Sequence, residues 1–176
     1  MIASDRPASV HLRPVTHDDR ALVRAWLATP AVRAWWGSPA ALEAEIAIAL
    51  ASESAICRMI VADEAAVGYG HALDAALTAS EPGTGDEPGI WRCTFFIGSE
   101  AHRGLGAGAI ALDLLADEVL STTLAIGCET RVPVKNESAV REIEALGFRW
   151  HHVETDPTLG PVWVMRRERG RSTSRC

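Results

Sequence analysis

The chain has 176 residues and a mass of 18.9 kDa, with 48% hydrophobic and 23% charged residues. That is the size of one globular domain with a full core, too short for two catalytic domains and unlike collagen-like, disordered or coiled-coil compositions. Seventeen basic against 23 acidic residues give a formal charge of −6, which argues against a nucleic-acid partner held by net charge. Val10 to Val15 reads as a first strand. Thr16 followed by Asp18-Asp19 reads as a helix start, since a short oxygen-bearing side chain accepts from the free N–H groups of a first turn. That helix runs to about Ala28 and stops at Thr29-Pro30. Ser38-Pro39 begins another, with Ser38 as cap, Pro39 at the first helical position and Leu42, Ile46, Ala49 and Leu50 on one apolar stripe.

Ala55–Ala62 and Ala66–Leu73 read as a hairpin across Asp63-Glu64. Residues 78–89, rich in glycine and proline, form a long loop of a kind that often carries function. Ile90–Ile97 is the strongest strand and feeds a glycine-rich turn, Arg103-Gly104-Leu105-Gly106-Ala107-Gly108. The helix that follows carries Leu105, Ala109, Leu112, Ala116 and Val119 on one face. Leu124–Val132 is a strand, Asn136–Leu146 a short helix closed by Gly147, and Phe148–Val153 with Pro161–Met165 a closing hairpin. The pattern predicts an α/β (α+β) fold with a mixed, mainly antiparallel sheet of about six to seven strands and about four helices on both faces. Residues 10–167 are expected to form one domain, preceded by an extension over 1–9 and followed by a disordered Arg-rich tail over 168–176.

The charge is unevenly spread. Residues 166–176 hold five arginines and one glutamate, a net +4, which leaves −10 on residues 1–165. Between Arg58 and Arg92 there is no Lys or Arg, but there are six acids, among them Asp74, Asp86 and Glu87. Such a stretch suits a cationic ligand or is a solvated acidic loop. None of the four cysteines forms a C-x-x-C pair, so they read as reduced thiols, and no clustered metal ligands are present. With no signal pattern and no membrane-length apolar run, a soluble cytoplasmic protein is expected, without membrane or nucleic-acid partners and either monomeric or a homodimer.

A strand that ends in glycines and opens a helix makes an anion site. The first helical N–H groups lack internal partners, the peptide dipoles place partial positive charge there, and glycine lets the backbone approach a phosphate. Arg103 can add a charge-assisted bond. No Lys follows the turn, as a mononucleotide P-loop requires, and the spacing is not that of a dinucleotide fingerprint. It is R-x-x-G-x-G, on Arg103, Gly106 and Gly108.

That turn resembles the pyrophosphate-binding motif of the GNAT superfamily of acyl-CoA N-acyltransferases. Asn136-x-x-Ala139 followed by Leu146-Gly147-Phe148, the opening Leu12-Arg13-Pro14-Val15, and Gly68-Tyr69-Gly70 resemble other segments of that superfamily. Within it, Trp35-Trp36-Gly37, Gly68-Tyr69-Gly70-His71 and Gly89-Ile90 look most like aminoglycoside 6′-N-acetyltransferases and the related siderophore-lysine acyltransferases. The resemblance implies acetyl-CoA as cofactor, held by Phe96, Ile97, Arg103, Gly104, Leu105, Gly106, Ala107, Gly108, Asn136 and Ala139. It implies an acceptor pocket lined by Trp35 and Trp36, and a backbone N–H of the fourth strand, at Phe96 or Ile97, as oxyanion donor. The alternative is that Trp35 and Trp36 simply fill core.

The sequence departs from the family pattern at three places. The tyrosine that usually protonates the leaving thiolate falls at Ile143, and the lone Tyr69 lies elsewhere. Carboxylates expected in the aminoglycoside enzymes are replaced by Trp91 and Arg131. Asp74, Asp86, Glu87 and Glu129 are then alternative acceptor-binding acids beside Trp91, and His71 is the candidate base, since imidazole titrates near neutral pH. The reading is an acetyl-CoA-dependent N-acetyltransferase acting on a small, cationic, aminoglycoside-like amine. The alternatives are acylation of a protein N-terminus or siderophore lysine, and a CoA-binding sensor or inactive relative.

Overall fold

The computed structural model describes residue 7, residues 9–77 and residues 87–170. Seven strands form one sheet in the order β1-β2-β3-β4-β5-β7-β6. They are β1 (Val10–Pro14), β2 (Ile56–Ala62), β3 (Ala65–Asp74), β4 (Ile90–Ile97), β5 (Gly127–Pro133), β6 (Arg149–Asp156) and β7 (Gly160–Glu168). Every neighbouring pair is antiparallel except β4 and β5, which run parallel. The β2–β3 turn uses Asp63 and Glu64 at φ 47° and 66°, the two-positive-φ geometry whose twist suits a two-residue hairpin. Helices α1 (Asp19–Leu27), α2 (Pro30–Trp36) and α3 (Pro39–Ala51) separate β1 from β2; α4 (Ala107–Thr122) and α5 (Glu137–Ala145) flank β5.

The two layers have separate cores. Val23, Trp26, Leu27, Val32, Leu42 and Ile46 from α1–α3 pack on Met59, Tyr69 and Phe96. On the other face Leu112, Leu115, Ala116 and Val119 of α4 pack with Trp91, Cys93, Cys128 and Met165. This is the expected arrangement of helices on both faces, with five α-helices among the described residues where about four were expected.

The extra helix is α2. Thr29-Pro30 was expected to be a stop; it is also a start, because the Thr29 hydroxyl accepts from the Val32 N–H and Pro30 occupies the first turn. Trp35 and Trp36 therefore lie at the end of a helix. At α1 the cap is reversed: the Asp19 carboxylate accepts from the N–H and hydroxyl of Thr16, at 2.7 and 2.8 Å, and from Arg13 at 2.7 Å. Ser38 makes no side-chain cap bond. In α4 the buried face is Ala107, Ala111, Leu112, Leu115, Ala116 and Val119; Leu105 and Ala109 are only half-buried.

The arginines at and just beyond the end of β7 are engaged with the fold. Arg167 pairs with Asp113 and Asp117, both at 2.7 Å, and stacks on Phe148. Arg169 donates to the carbonyls of Ala125 and Thr123. The expected disorder over 168–176 falls largely on residues outside those described.

Candidate active site

The register between β4 and β5 covers only Ile90–Arg92 against Gly127–Glu129. Beyond it the two strands part, although β4 continues to Ile97 and β5 to Pro133. The alternation of the β3–β4 ladder decides what β4 presents to that gap. Gly98 donates to Val67 at 2.9 Å, so pairs 67/98 and 69/96 exchange hydrogen bonds with β3. The N–H groups of Phe95 and Ile97 consequently point away from β3, toward the parted β5. Of the two residues expected as oxyanion donors, Ile97 offers its amide to the gap; Phe96 spends its own on Tyr69.

Two adjoining cavities occupy the gap. The first, about 340 Å³, is bounded by β4 residues Phe95–Ile97, by Arg103, Gly104, Gly106 and Gly108, and by Asn136, Ala139 and Ile143 of the α5 region. Gly104 and Gly106 have φ 74° and 85°, a left-handed conformation that glycine alone adopts without strain. A Cβ on Gly104 would meet nothing within 4 Å, so the loop backbone faces open space. Gly106 caps α4 with no side chain covering the first turn, which leaves its N–H groups for a ligand. Arg103 is held at this loop by bonds to the carbonyls of Ile97 (3.1 Å) and Gly98 (2.6 Å). Asn136 caps α5 through the Ala139 N–H, which explains the N-x-x-A spacing. Leu105 and Ala107 do not line the cavity, and Ala107 is buried in the core. The loop thus fits an anionic pyrophosphate by backbone geometry.

The second cavity, about 420 Å³, shares Trp35, Trp36, Arg131 and Pro133 with the first and adds Glu45, Arg92, Thr94, Asp156 and Leu159. The β6–β7 turn closes it; Thr158 sits 3.1 Å from where a Gly37 Cβ would stand. Trp35 is 41% exposed, with Lys135 5.5 Å above its ring; Trp36 packs edge-on to Phe95 at 6.0 Å. Both tryptophans are cavity wall rather than buried filler.

The acids expected at the acceptor site lie elsewhere. Asp74 ends β3 and accepts from the Ala76 N–H, and Glu87 pairs with Arg166 at 2.7 Å. Because β3 and β4 are antiparallel, the end of β3 meets the start of β4, where β4 and β5 still touch. Trp91, beside Asp74 in that register, is 9% exposed and belongs to the core under α4. Glu129 is 2% exposed and consumed by Arg92 (2.7 Å) and Arg166 (3.4 Å). Asp86 lies outside the described residues.

His71 is fully buried and lines neither cavity, so it cannot touch a substrate as a base. Its Nε2 lies 3.1 Å from Glu45 Oε1, which also accepts from Thr94 at 2.8 Å. Glu45 is the site residue that sequence reasoning missed. Its signal was a carboxylate at the inward side of the Leu42–Ile46–Ala49 stripe, where a charge needs a partner. Arg131 pairs with Glu154, and burial pulls its basicity down. Ile143 is buried in the first cavity's wall, so this position supplies no proton.

The model of the acetyltransferase (GNAT) domain matches residues 15–154. The chain belongs to the GNAT acetyltransferases. As a GNAT enzyme it is an acetyl-CoA-dependent N-acetyltransferase. No curated protein matches the chain in sequence. Solved GNAT structures share the fold. Aminoglycoside acetyltransferase AAC(6')-Ib with paromomycin and acetyl-CoA is 24% identical, with a TM-score of 0.78 over 96% of this chain and 99% of that one. The same enzyme with ribostamycin and coenzyme A gives 23% identity and a TM-score of 0.78 over the same shares. Spermidine N-acetyltransferase from Vibrio cholerae, with CoA and spermine, is 13% identical, with a TM-score of 0.69 over 91% of this chain and 95% of that one. No helix among the described residues is long and apolar enough to cross a membrane.

Proposed function

We propose that this GNAT enzyme acetylates a primary amine of a small cationic acceptor, with the first cavity holding the cofactor and the second the acceptor. The observation that carries the reading is the junction. An anion-binding loop and an acid-containing chamber meet at the parted strands, and both are bounded by Trp35, Trp36 and Arg131. The relatives solved with ribostamycin and with spermine bind amines of the class this chamber suits.

Arg103 and the backbone of Gly104, Gly106 and Gly108 hold the pyrophosphate, and Asn136 and Ala139 form the opposite wall. Bound there, acetyl-CoA supplies an acetyl thioester to the gap. The Ile97 N–H is oriented to donate to a carbonyl oxygen in that gap, a preorganised contact worth about 3 kcal/mol in comparable sites. Trp35 and Trp36 bound the acceptor and hold water away from the junction. The amine attacks only as the free base, and the proton it still carries after attack leaves to water. With Ile143 at the usual tyrosine position, the departing thiolate takes its proton from solvent, and a thiol's modest basicity makes an enzymic acid dispensable.

An amine panel tests the reading: kanamycin, ribostamycin, spermidine, spermine, free amino acids and peptides, with acetyl-CoA and released CoA thiol as readout. Faster thiol release with the polycationic amines than with amino acids or peptides is expected. Preference for a peptide N-terminus would move the assignment to protein acetylation.

A further inference from the structure

We infer that Glu45 is the anchor for the acceptor's ammonium group and that His71, buried behind it, fixes its direction. This rests on the acetyltransferase reading above and adds to it the residue that selects a cation.

Glu45 reaches into the acceptor chamber from α3, and its two oxygens have different tasks. Oε1 takes both His71 Nε2 at 3.1 Å and Thr94 Oγ1 at 2.8 Å. Oε2 has no hydrogen-bond partner among the described residues, and the side chain lines the cavity. Two donors on one oxygen fix the carboxylate plane and leave the other oxygen to a ligand. That is how a supporting shell positions a binding group.

His71 holds Glu45 from behind: its Nε2 lies against Oε1, and its Nδ1 is buried with no hydrogen-bond partner. Thr94 and Arg92 face Glu45 from β4, Arg131 from β5 and Asp156 from the end of β6. Arg92 is engaged by Glu129 and Arg131 by Glu154, so neither arginine is Glu45's dedicated partner. Burial pushes the Glu45 carboxyl up, but the hydrogen bond and electrostatic attraction of His71, the Thr94 bond and the Arg92 charge together pull it further down, to below its ordinary value. Asp156, whose Oδ1 accepts the Thr158 and Leu159 amides at 2.8 Å, adds a second acid to the same chamber. An acceptor with two or more ammonium groups fits this pair.

Calorimetry on the full chain tests it, with CoA titrated first and then kanamycin or spermidine into the CoA complex. The Kd of the better-bound amine is expected to rise at least tenfold in Glu45→Gln, with the CoA Kd unchanged within twofold. Glu45→Asp, which keeps the charge but withdraws it by one methylene, is expected to fall between. The CoA titration also reports that each variant is folded.

His71 acts through Glu45, so its variants are read by pH. Wild-type amine affinity persists as pH falls to the ordinary carboxylate range, because the ionised form is favoured. His71→Leu removes a donor, and the acid-side loss of affinity is expected to move to higher pH; His71→Gln, which keeps an N–H donor, is expected to restore it in part. An unchanged amine Kd in both Glu45 variants, or wild type that binds CoA but neither amine, overturns the anchor. Wild type that binds no CoA overturns instead the acetyltransferase reading beneath it.

Discussion

The cofactor cleft and the acceptor chamber share Trp35, Trp36, Arg131 and Pro133, yet they are built from different materials. The cleft is backbone: left-handed glycines, an uncapped helix start and an amide of β4 turned outward by the ladder's alternation. The chamber is side chains held by other side chains: Glu45 by His71 and Thr94, Arg92 by Glu129, Arg131 by Glu154. A backbone site depends on a few residues close in sequence. A side-chain site depends on pairs such as Arg92 with Glu129, which only the fold brings together.

That contrast can be broken by substitutions outside the cofactor cleft. The largest effect is expected at Glu129. Its neutralisation in Glu129→Gln leaves Arg92 and Arg166 buried without their shared carboxylate, a change that costs about 3–5 kcal/mol where such pairs are broken. Chemical denaturation should show that loss, while the acetyl-CoA Kd of the folded protein stays within about twofold. A parallel loss of acetyl-CoA affinity would mean that the two halves are one unit.

A smaller effect is expected at Asp19, which ties β1 to α1 through Arg13 and Thr16. Asp19→Asn is expected to cost about 1–3 kcal/mol at neutral pH. The Arg13 hydrogen bond holds this carboxyl well below its ordinary range. Its contribution is therefore complete above about pH 4 and declines as pH falls toward the lowered folded value. The melting-temperature gap between wild type and Asp19→Asn should accordingly narrow with acidification; a gap that widens would contradict the pairing.

The smallest effect is expected at Tyr69. Its hydroxyl is buried without a partner and lies in neither cavity. Tyr69→Phe should leave kcat within about twofold and stability unchanged or slightly raised, since it removes an unsatisfied polar atom. A large fall in kcat would make the lone tyrosine the proton donor missing at Ile143.

How much was legible in the sequence follows the same division. Ile90–Ile97 was read to the residue, and the glycine turn that opens α4 was read in its place, because glycine spacing and strand-to-helix order are local. The α2 helix was missed although Thr29-Pro30 carries the same start signal as Ser38-Pro39, because a proline after a helix also reads as its end. The acceptor acids were misplaced for a tertiary reason. Glu129 looked available on its strand, and nothing local reveals that Arg92 and Arg166 lie across from it. His71 was read as the base; its partner is 26 residues away on α3, and burial makes it a support rather than a reacting group.

The central claim is that two independent binding chambers meet at the parted strands. Initial-rate kinetics with both substrates varied, on Gly106→Val and Glu45→Gln side by side, test it most directly. Gly106 is left-handed at the mouth of the loop, so a β-branched residue there should raise the acetyl-CoA KM at least about tenfold and leave the amine KM near wild type. Glu45→Gln should do the reverse. If each variant instead raises both KM values together, the chambers are not separate and the account fails.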